Sequence, residues 1–411
     1  MYFIADFHIH SKYSRATSRE MDIEHISRWA RLKGVNLMGT GDFTHPEWRR
    51  ELRAHLDNEE YGVYSHNDIL YMLTAEVNNI YFKMGKTRKI HNIIFSPSLE
   101  VADRISDMLS QFGNIYSDGR PILSIGCEEM VIRLKDINED IFVVPAHVWT
   151  PHFAIFGANS GFDSIEDCYG SFSDSIYALE TGLSSDPPMN WRLSKLDRFC
   201  LVSNSDAHSP SKIGREANVF SKRFGYKELI DILKTKDKTR LLFTIEFFPE
   251  EGKYHWDGHR KCGLRLSPKE AKDLKYKCPK CGGKITVGVM HRIESLCDRK
   301  EGFVLEDAPS YKSLVPLIEI IADAMDMGTE SLTVKREYNS LISTFGNEFN
   351  ILLDVPEDRL IEDVAPRIAR GIINARNGDV SVLPGYDGEY GEVNVFSNKD
   401  GKAEQKQLEL F

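Results

Sequence analysis

The chain has 411 residues, 41% hydrophobic and 10% aromatic, which allows two or three domains with apolar cores. No apolar run approaches the ~20 residues that span a bilayer. The N-terminus enters a strand at once, and seven cysteines, three of them clustered, do not make a disulfide framework, so the sequence reads as cytoplasmic, with no signal peptide and no membrane partner. The net charge of −10 argues against a uniformly basic nucleic-acid binder, yet residues 253–300 hold thirteen Lys/Arg against five Asp/Glu, an acidic body carrying a basic module.

From residue 1 to about 245, short apolar runs alternate with amphipathic stretches. The runs cover 2–7, 35–40, 70–75, 90–95, 122–125, 141–144, 176–179, 199–202 and 241–245, with helix-like segments at 23–32, 99–112 and 226–233. The alternation predicts an α/β architecture with a mainly parallel sheet. Nearly every run ends in a side chain able to bind metal. His8 and His10 close the first, Asp42 and His45 follow the second, and Glu76 closes the third. His91 opens the fourth, His147 closes the sixth, Glu180 the seventh, and Asp206 and His208 follow the eighth. In an α/β barrel the active site collects at the C-terminal ends of the strands. Ligands from successive strand ends would therefore meet in one axial pocket. Imidazole together with carboxylate suits zinc, manganese or iron, and a cluster of this size holds two or three ions.

The order His8-x-His10, Asp42, Glu76, His91, His147, Asp206-x-His208 resembles the PHP (polymerase and histidinol phosphatase) superfamily. That resemblance implies a distorted (β/α)7 barrel with a multinuclear site for phosphoester hydrolysis, filled by two or three divalent ions (Zn2+, Mn2+ or Mg2+). By the same resemblance, His8, His10, Glu76 and Asp206 hold one ion. Glu76, His91 and His147 hold a second, with Glu76 bridging. Ala16 and Phe43 stand where the family often has histidines, so Asp42, His45 and His208 are expected to serve a third ion. His8, His10, Glu76 and Asp206 form the expected catalytic set, with His208 or His45 protonating the leaving group.

Residues 246–300 change character. His259-Arg-Lys-Cys262 and Cys278-Pro-Lys-Cys281-Gly-Gly283 are two x2-spaced pairs fifteen residues apart. That pattern predicts one structural Cys3His zinc site, with His255 as the alternative fourth ligand. Basic residues surround it, and Lys269, Lys275 and Lys280 are candidates for contact with a phosphate backbone.

Residues 301–376 read as helical, with Leu314, Leu317, Ile318, Ile321 and Met325, then Leu360, Val364, Ile368 and Ile372, at helical spacing. A Gly/Tyr loop at 384–391 presents Tyr386 and Tyr390, either a plain turn or a surface on which a base stacks. The chain then becomes polar and ends in Gln407-Leu408-Glu409-Leu410-Phe411, which looks like the pentapeptide that binds the bacterial sliding clamp. The expected units are 1–248 (catalytic barrel), 249–300 (zinc-binding module), 301–395 (helical C-terminal region) and 396–411 (flexible tail).

Together Gly39-Thr-Gly-Asp-Phe-Thr-His-Pro-Glu-Trp48, Pro145-Ala-His-Val-Trp-Thr-Pro151, Ser205-Asp-Ala-His-Ser-Pro210 and the His/Cys module resemble the endonuclease Q family from residue 1 to about 395. That resemblance implies a DNA repair endonuclease cutting 5′ to a deaminated base (hypoxanthine, uracil, xanthine) or an abasic site, leaving 3′-hydroxyl and 5′-phosphate ends. Two readings compete with it. One is a small-molecule phosphoesterase of the histidinol-phosphatase kind, for which the module, basic segment and tail are superfluous. The other is a non-catalytic, clamp-associated DNA-binding adaptor, for which the metal-ligand set is superfluous.

Overall fold

Alternate residues of the N-terminal strands face two different apolar clusters. Ala5, Phe7, Ile93, Phe95, Phe142, Val144, Ala178, Cys200 and Val202 belong to one cluster, and Ile4, Ile94, Val143, Leu179 and Leu201 to the other. With both faces buried, the strands read in sequence as unbroken apolar runs. The structure is a computed structural model and describes residues 2–396.

The strand Phe3–Asp6 lies between Ala217–Phe220, antiparallel to it, and Leu37–Gly39, parallel to it. Leu37–Gly39 pairs in parallel with Ile69–Lys83, which folds back antiparallel on Lys86–Ser96, and that strand pairs antiparallel with Phe142–Pro145. The parallel pair Ala178–Glu180 and Cys200–Val202 completes the ring. On one side the Val148 N–H donates to the Glu180 carbonyl at 3.0 Å. On the other, Ile9 and Ala207 form a parallel bridge, and the Ser205 N–H donates to Asp6 Oδ1 at 3.1 Å. The result is a distorted α/β barrel with helices Ile23–Lys33, Leu99–Ser110 and Tyr226–Thr235 where helical periodicity placed them.

The sheet is mixed rather than mainly parallel. The runs at 70–75 and 90–95 are the two arms of one long hairpin, and a connection of two residues joins strands only antiparallel. Met84 (φ 54°) and Gly85 (φ 74°) supply its left-handed turn. The strand Ala217–Phe220, absent from the predicted runs, slots antiparallel between Phe3–Asp6 and Leu241–Glu246.

Beyond the barrel, Asp257–His259 and Leu264–Leu266 form a small hairpin above the helix Pro268–Asp273. Arg292, from helix Val289–Leu296, donates to the carbonyls of Phe156 and Phe162 at 3.0 and 2.9 Å and ties this segment to a barrel loop. The stretch after it is not purely helical, because Ser310–Ser313 adds a parallel strand to the barrel sheet beside Leu241–Glu246. Helices Leu317–Met325, Leu332–Phe345, Glu357–Asp363 and Pro366–Asn377 follow. A buried ion pair, Lys33 Nζ to Glu348 Oε2 at 2.7 Å, locks them to the first barrel helix.

Candidate metal centre

His8, His10, His147 and Asp206 follow the ends of their strands, whereas Glu76 and His91 lie, against expectation, in the middle of the long hairpin arms Ile69–Lys83 and Lys86–Ser96, and all six side chains come to one point. Ligand atoms of His8, His10, Glu76 and Asp206 lie within 4.8 Å of one another, as do those of Glu76, His91 and His147. Glu76 belongs to both groups. Its Oε2 is 3.2 Å from His10 Nε2 and 3.6 Å from His8 Nε2, and its Oε1 is 2.6 Å from His91 Nδ1 and 3.0 Å from His147 Nε2. Asp206 Oδ1 sits 3.1 Å from His10 Nε2 and 3.7 Å from His8 Nε2.

His8 Nε2, His10 Nε2 and Asp206 Oδ1 are buried and make no hydrogen bond. A buried polar atom without a partner costs about 1–3 kcal/mol. Three of them aimed into one space, beside a shared carboxylate, are what a divalent cation would satisfy, so the residues fit a dinuclear centre. The backbone is strained at the same place. Asp42 (φ 52°), His147 (φ 31°) and Asp206 (φ 47°) are all in the left-handed region, at about 1–3 kcal/mol each. The glycines of Gly39-Thr-Gly41 have a steric role here. A Cβ on Gly39 would lie 2.1 Å from the Phe7 carbonyl oxygen, and one on Gly41 would lie 2.2 Å from that of Ile9. Only glycine lets this strand end close on the His8–His10 segment.

Titration follows the geometry. Burial alone would lower the basicity of His8 and His10, but Glu180 and Glu76 around His8, and Asp42 and Asp206 around His10, outweigh it and raise both well above the usual range. Burial likewise works against ionised Glu76 and Asp206, yet the neighbouring imidazoles hold both carboxyls well down. Burial wins at His91, pushed down to about 4, and lowers His45 and His208 as well.

Three of the expected ligands, Asp42, His45 and His208, lie outside these two groups. Asp42 is turned away from the cluster, accepting from the Ser11 N–H at 2.6 Å, the Ser11 hydroxyl at 2.7 Å and the Ser14 hydroxyl at 2.9 Å, with His10 Nδ1 at 3.0 Å. It orients an imidazole instead of offering a free oxygen. His45 stacks under Tyr13 at 4.4 Å, with Nε2 3.2 Å from the Tyr116 carbonyl oxygen. His208 stays at the mouth, its ring 4.4 Å from that of His10 and its Nδ1 2.9 Å from the Asp206 carbonyl.

Two important neighbours, Glu180 and Arg120, had been assigned to no ion. Glu180, fully buried, lies 3.0 Å from His8 Nδ1 and accepts from Asn204 Nδ2 and the His147 N–H, both at 2.8 Å. Its place at a strand end was the available signal. Arg120 Nη1 is 3.1 Å from Glu76 Oε2. Arg120 precedes a strand, Ile122–Leu123, so a search of strand C-terminal ends passes over it.

A cavity of about 300 Å³ opens beside the centre, lined by Thr150, Pro151, His152, Tyr254, His255 and Tyr390 among others. Thr150 Oγ1 is 2.9 Å from His147 Nδ1, which links the cavity wall to the cluster. Of the two loop tyrosines, Tyr390 is exposed and lines this cavity, whereas Tyr386 packs on Gly258 with Arg265 over its ring at 4.9 Å. In the small module, ligand atoms of His259, Cys262, Cys278 and Cys281 lie within 4.8 Å of one another. The Gly283 N–H points at Cys281 Sγ at 3.4 Å. His255 stands in the cavity wall instead, apart from the sulfur group. Lys269, Lys275 and Lys280 are exposed, and Lys280 Nζ donates to the Cys262 carbonyl at 2.7 Å. The residues Gln407, Leu408, Leu410 and Phe411 lie outside the described residues.

Residues 316–379 match the family described as MJ0043 C-terminal domain. The protein MJ0043 of Methanocaldococcus jannaschii is 32% identical over 291 residues, 68% of this chain, and the match spans only 36% of that relative's length. The crystal structure of the lesion-specific endonuclease PfuEndoQ from Pyrococcus furiosus superposes with a TM-score of 0.88 at 34% identity, covering 100% of this chain and 99% of that one. Endonuclease Q in complex with a 27-mer duplex substrate carrying an abasic lesion at the active site matches with a TM-score of 0.86, also at 34% identity, over 98% of both chains.

Proposed function

The chain belongs to the endonuclease Q family, and from that membership we propose that it hydrolyses DNA on the 5′ side of a deaminated base (hypoxanthine, uracil or xanthine) or an abasic site. As a member of the family it is a metal-dependent endonuclease. The observation that carries the reading is the convergence of five ligands, His8, His10, His91, His147 and Asp206, on the shared carboxylate Glu76.

Divalent ions held there would supply Lewis acidity and a hydroxide at neutral pH. The rest falls to the chain's own residues. His8, His10, Glu76 and Asp206 would hold one cation, and Glu76, His91 and His147 the other. Asp42 and Glu180 keep the imidazoles of His10 and His8 in register by their hydrogen bonds. Arg120, with one guanidinium nitrogen on Glu76, keeps the others for a phosphate oxygen. His208, whose basicity burial lowers, takes up or passes on a proton at the mouth. A base still paired in a duplex cannot be judged from such a site, so the damaged nucleotide leaves the helix, at least cost when it is mispaired or abasic. The cavity beside His147 has the size and the aromatic wall to take an extruded base, with Tyr390 as the stacking face.

The His259/Cys262/Cys278/Cys281 group fits one structural zinc ion, and the basic residues around it fit the phosphate backbone. The pentapeptide at 407–411 is read, from its residues alone, as a ligand for the bacterial sliding clamp. Deleting it should abolish clamp retention and leave oligonucleotide cleavage intact.

The deciding experiment incubates purified, metal-loaded protein with labelled DNA carrying one deoxyinosine or one abasic site, with undamaged DNA, and with histidinol phosphate. Cleavage 5′ to the lesion, leaving a 3′-hydroxyl, is the expected result. Release of phosphate from histidinol phosphate alone would support the small-molecule phosphoesterase instead. DNA binding with no turnover of either substrate would support the adaptor.

A further inference from the structure

Tyr116 is a large apolar ring that serves no core, since it is 71% exposed. Single exposed aromatics are common. What distinguishes this one is how firmly, and to what, its backbone is held. The Tyr116 N–H donates to Asn114 Oδ1 at 2.9 Å, and its carbonyl oxygen lies 3.2 Å from His45 Nε2. Three residues on, Gly119 donates its N–H to the Tyr13 carbonyl at 3.0 Å and accepts from the Thr44 hydroxyl at 3.2 Å. A side chain at Gly119 would collide with Asp42, because its Cβ would lie 2.3 Å from Asp42 Oδ2. Arg120 then reaches Glu76.

The loop 113–120 is thus fastened to the wall of the metal centre and holds Tyr116 out at its rim. Four residues span no more than about 14 Å even when extended. The Tyr116 backbone is therefore held within that span of Arg120, the residue whose side chain reaches Glu76. Arg15, with a side chain 75% exposed, pairs with Asp118 of the same loop at 3.5 Å and puts a cation on this rim. An exposed aromatic face on a rim that also carries a cation is the combination that stacks on bases while tracking phosphates.

We propose that Tyr116 is the wedge that enters the duplex beside the lesion and fills the stack when the damaged nucleotide leaves, an inference that rests on the endonuclease reading above. His45 acts as a brace for this wedge, which accounts for its lying outside the metal cluster.

The test compares wild type, Tyr116→Ala and Tyr116→Phe on deoxyinosine DNA, either fully paired or single-stranded, with 2-aminopurine next to the lesion as a reporter of unstacking. The duplex-to-single-strand rate ratio should fall about tenfold to a hundredfold for Tyr116→Ala, the scale of lost base–aromatic stacking. It should return with Tyr116→Phe, and the 2-aminopurine signal on duplex binding should follow the same order. If Tyr116→Ala keeps the wild-type ratio and reporter signal, or loses both substrates in equal measure, the wedge is overturned while the endonuclease reading stands. If wild type cuts neither substrate, the endonuclease reading falls and the wedge falls with it.

Discussion

Replacing Glu180 by Gln changes one atom of a side chain that touches no proposed cation, and should nonetheless disable the centre. Three donors converge on this carboxylate: His8 Nδ1 at 3.0 Å, Asn204 Nδ2 at 2.8 Å and the His147 N–H at 2.8 Å. Gln keeps one acceptor oxygen and turns the other into an NH2 group that must face a donor. With the residue fully buried, water cannot repair the mismatch. The lost hydrogen bond to a charged group is worth about 1.5–3 kcal/mol. At about 1.4 kcal/mol per factor of ten, that is roughly tenfold to a hundredfold in metal affinity or turnover, the usual range for a residue that orients a ligating imidazole. Metal titration followed by mass-spectrometric metal counting, steady-state cleavage of lesion DNA, and circular dichroism to establish folding would measure it. A folded Glu180→Gln protein with wild-type metal affinity and wild-type turnover would refute the claim that Glu180 sets the orientation of His8 and His147.

Lys33→Met should destabilise the protein by about 3–5 kcal/mol, because it strands Glu348 as a buried carboxylate between the barrel and the C-terminal helices. Urea denaturation should show the loss, and adding Glu348→Leu should recover most of it. Stability should fall between about pH 5 and pH 8, since burial pushes the Glu246 carboxyl up to about 8 from an ordinary 4.5. The folded chain then keeps a proton that the unfolded chain has released, so the stabilisation is full below 4.5 and is lost as pH rises through 8. Glu246→Gln should flatten that slope in denaturant midpoints measured across the range. Cys281→Ser should lower the bound zinc by one equivalent, loosen the segment around residues 255–290 in hydrogen exchange and weaken DNA binding. For wild type the same affinity should drop steeply with added salt, and a salt-independent affinity would exclude the module as a phosphate contact.

The ligand groups were legible because strand ends are chemically marked. An apolar run stopping at His8-x-His10 or at Asp206-x-His208 announces both the strand and the group it delivers, whereas at Glu76 the polar residue marked the ligand but not the strand's end, because the strand runs on to Lys83. The two x2-spaced pairs of the small module are equally local, and the structure brings the side chains of each set within reach of one another. Periodicity also marked the helices at 23–33, 99–110 and 226–235 closely, since one face of each is buried. Strand direction was not legible in the same way. A run buried on both faces looks alike whether it pairs in parallel or antiparallel. The hairpin of Ile69–Lys83 and Lys86–Ser96 shows itself only through its short turn.

What only the tertiary structure decided is which polar residues turn inward to the cluster and which turn away. Asp42 and His45 carry the right chemistry at the right strand end. Yet Asp42 spends its lone pairs on Ser11, Ser14 and His10, and His45 props the Tyr116 carbonyl. Glu180 and Arg120 enter the site from positions that the strand-end pattern either left unassigned or does not reach. By itself the sequence determined the supply of ligands, because strand ends are local and their chemistry is written in neighbouring residues. The role of each ligand depends on the direction in which a lone pair points. That direction is set by left-handed backbone at Asp42, His147 and Asp206 and by partners as much as two hundred residues away, such as Asp6 with Ser205, which no local pattern encodes.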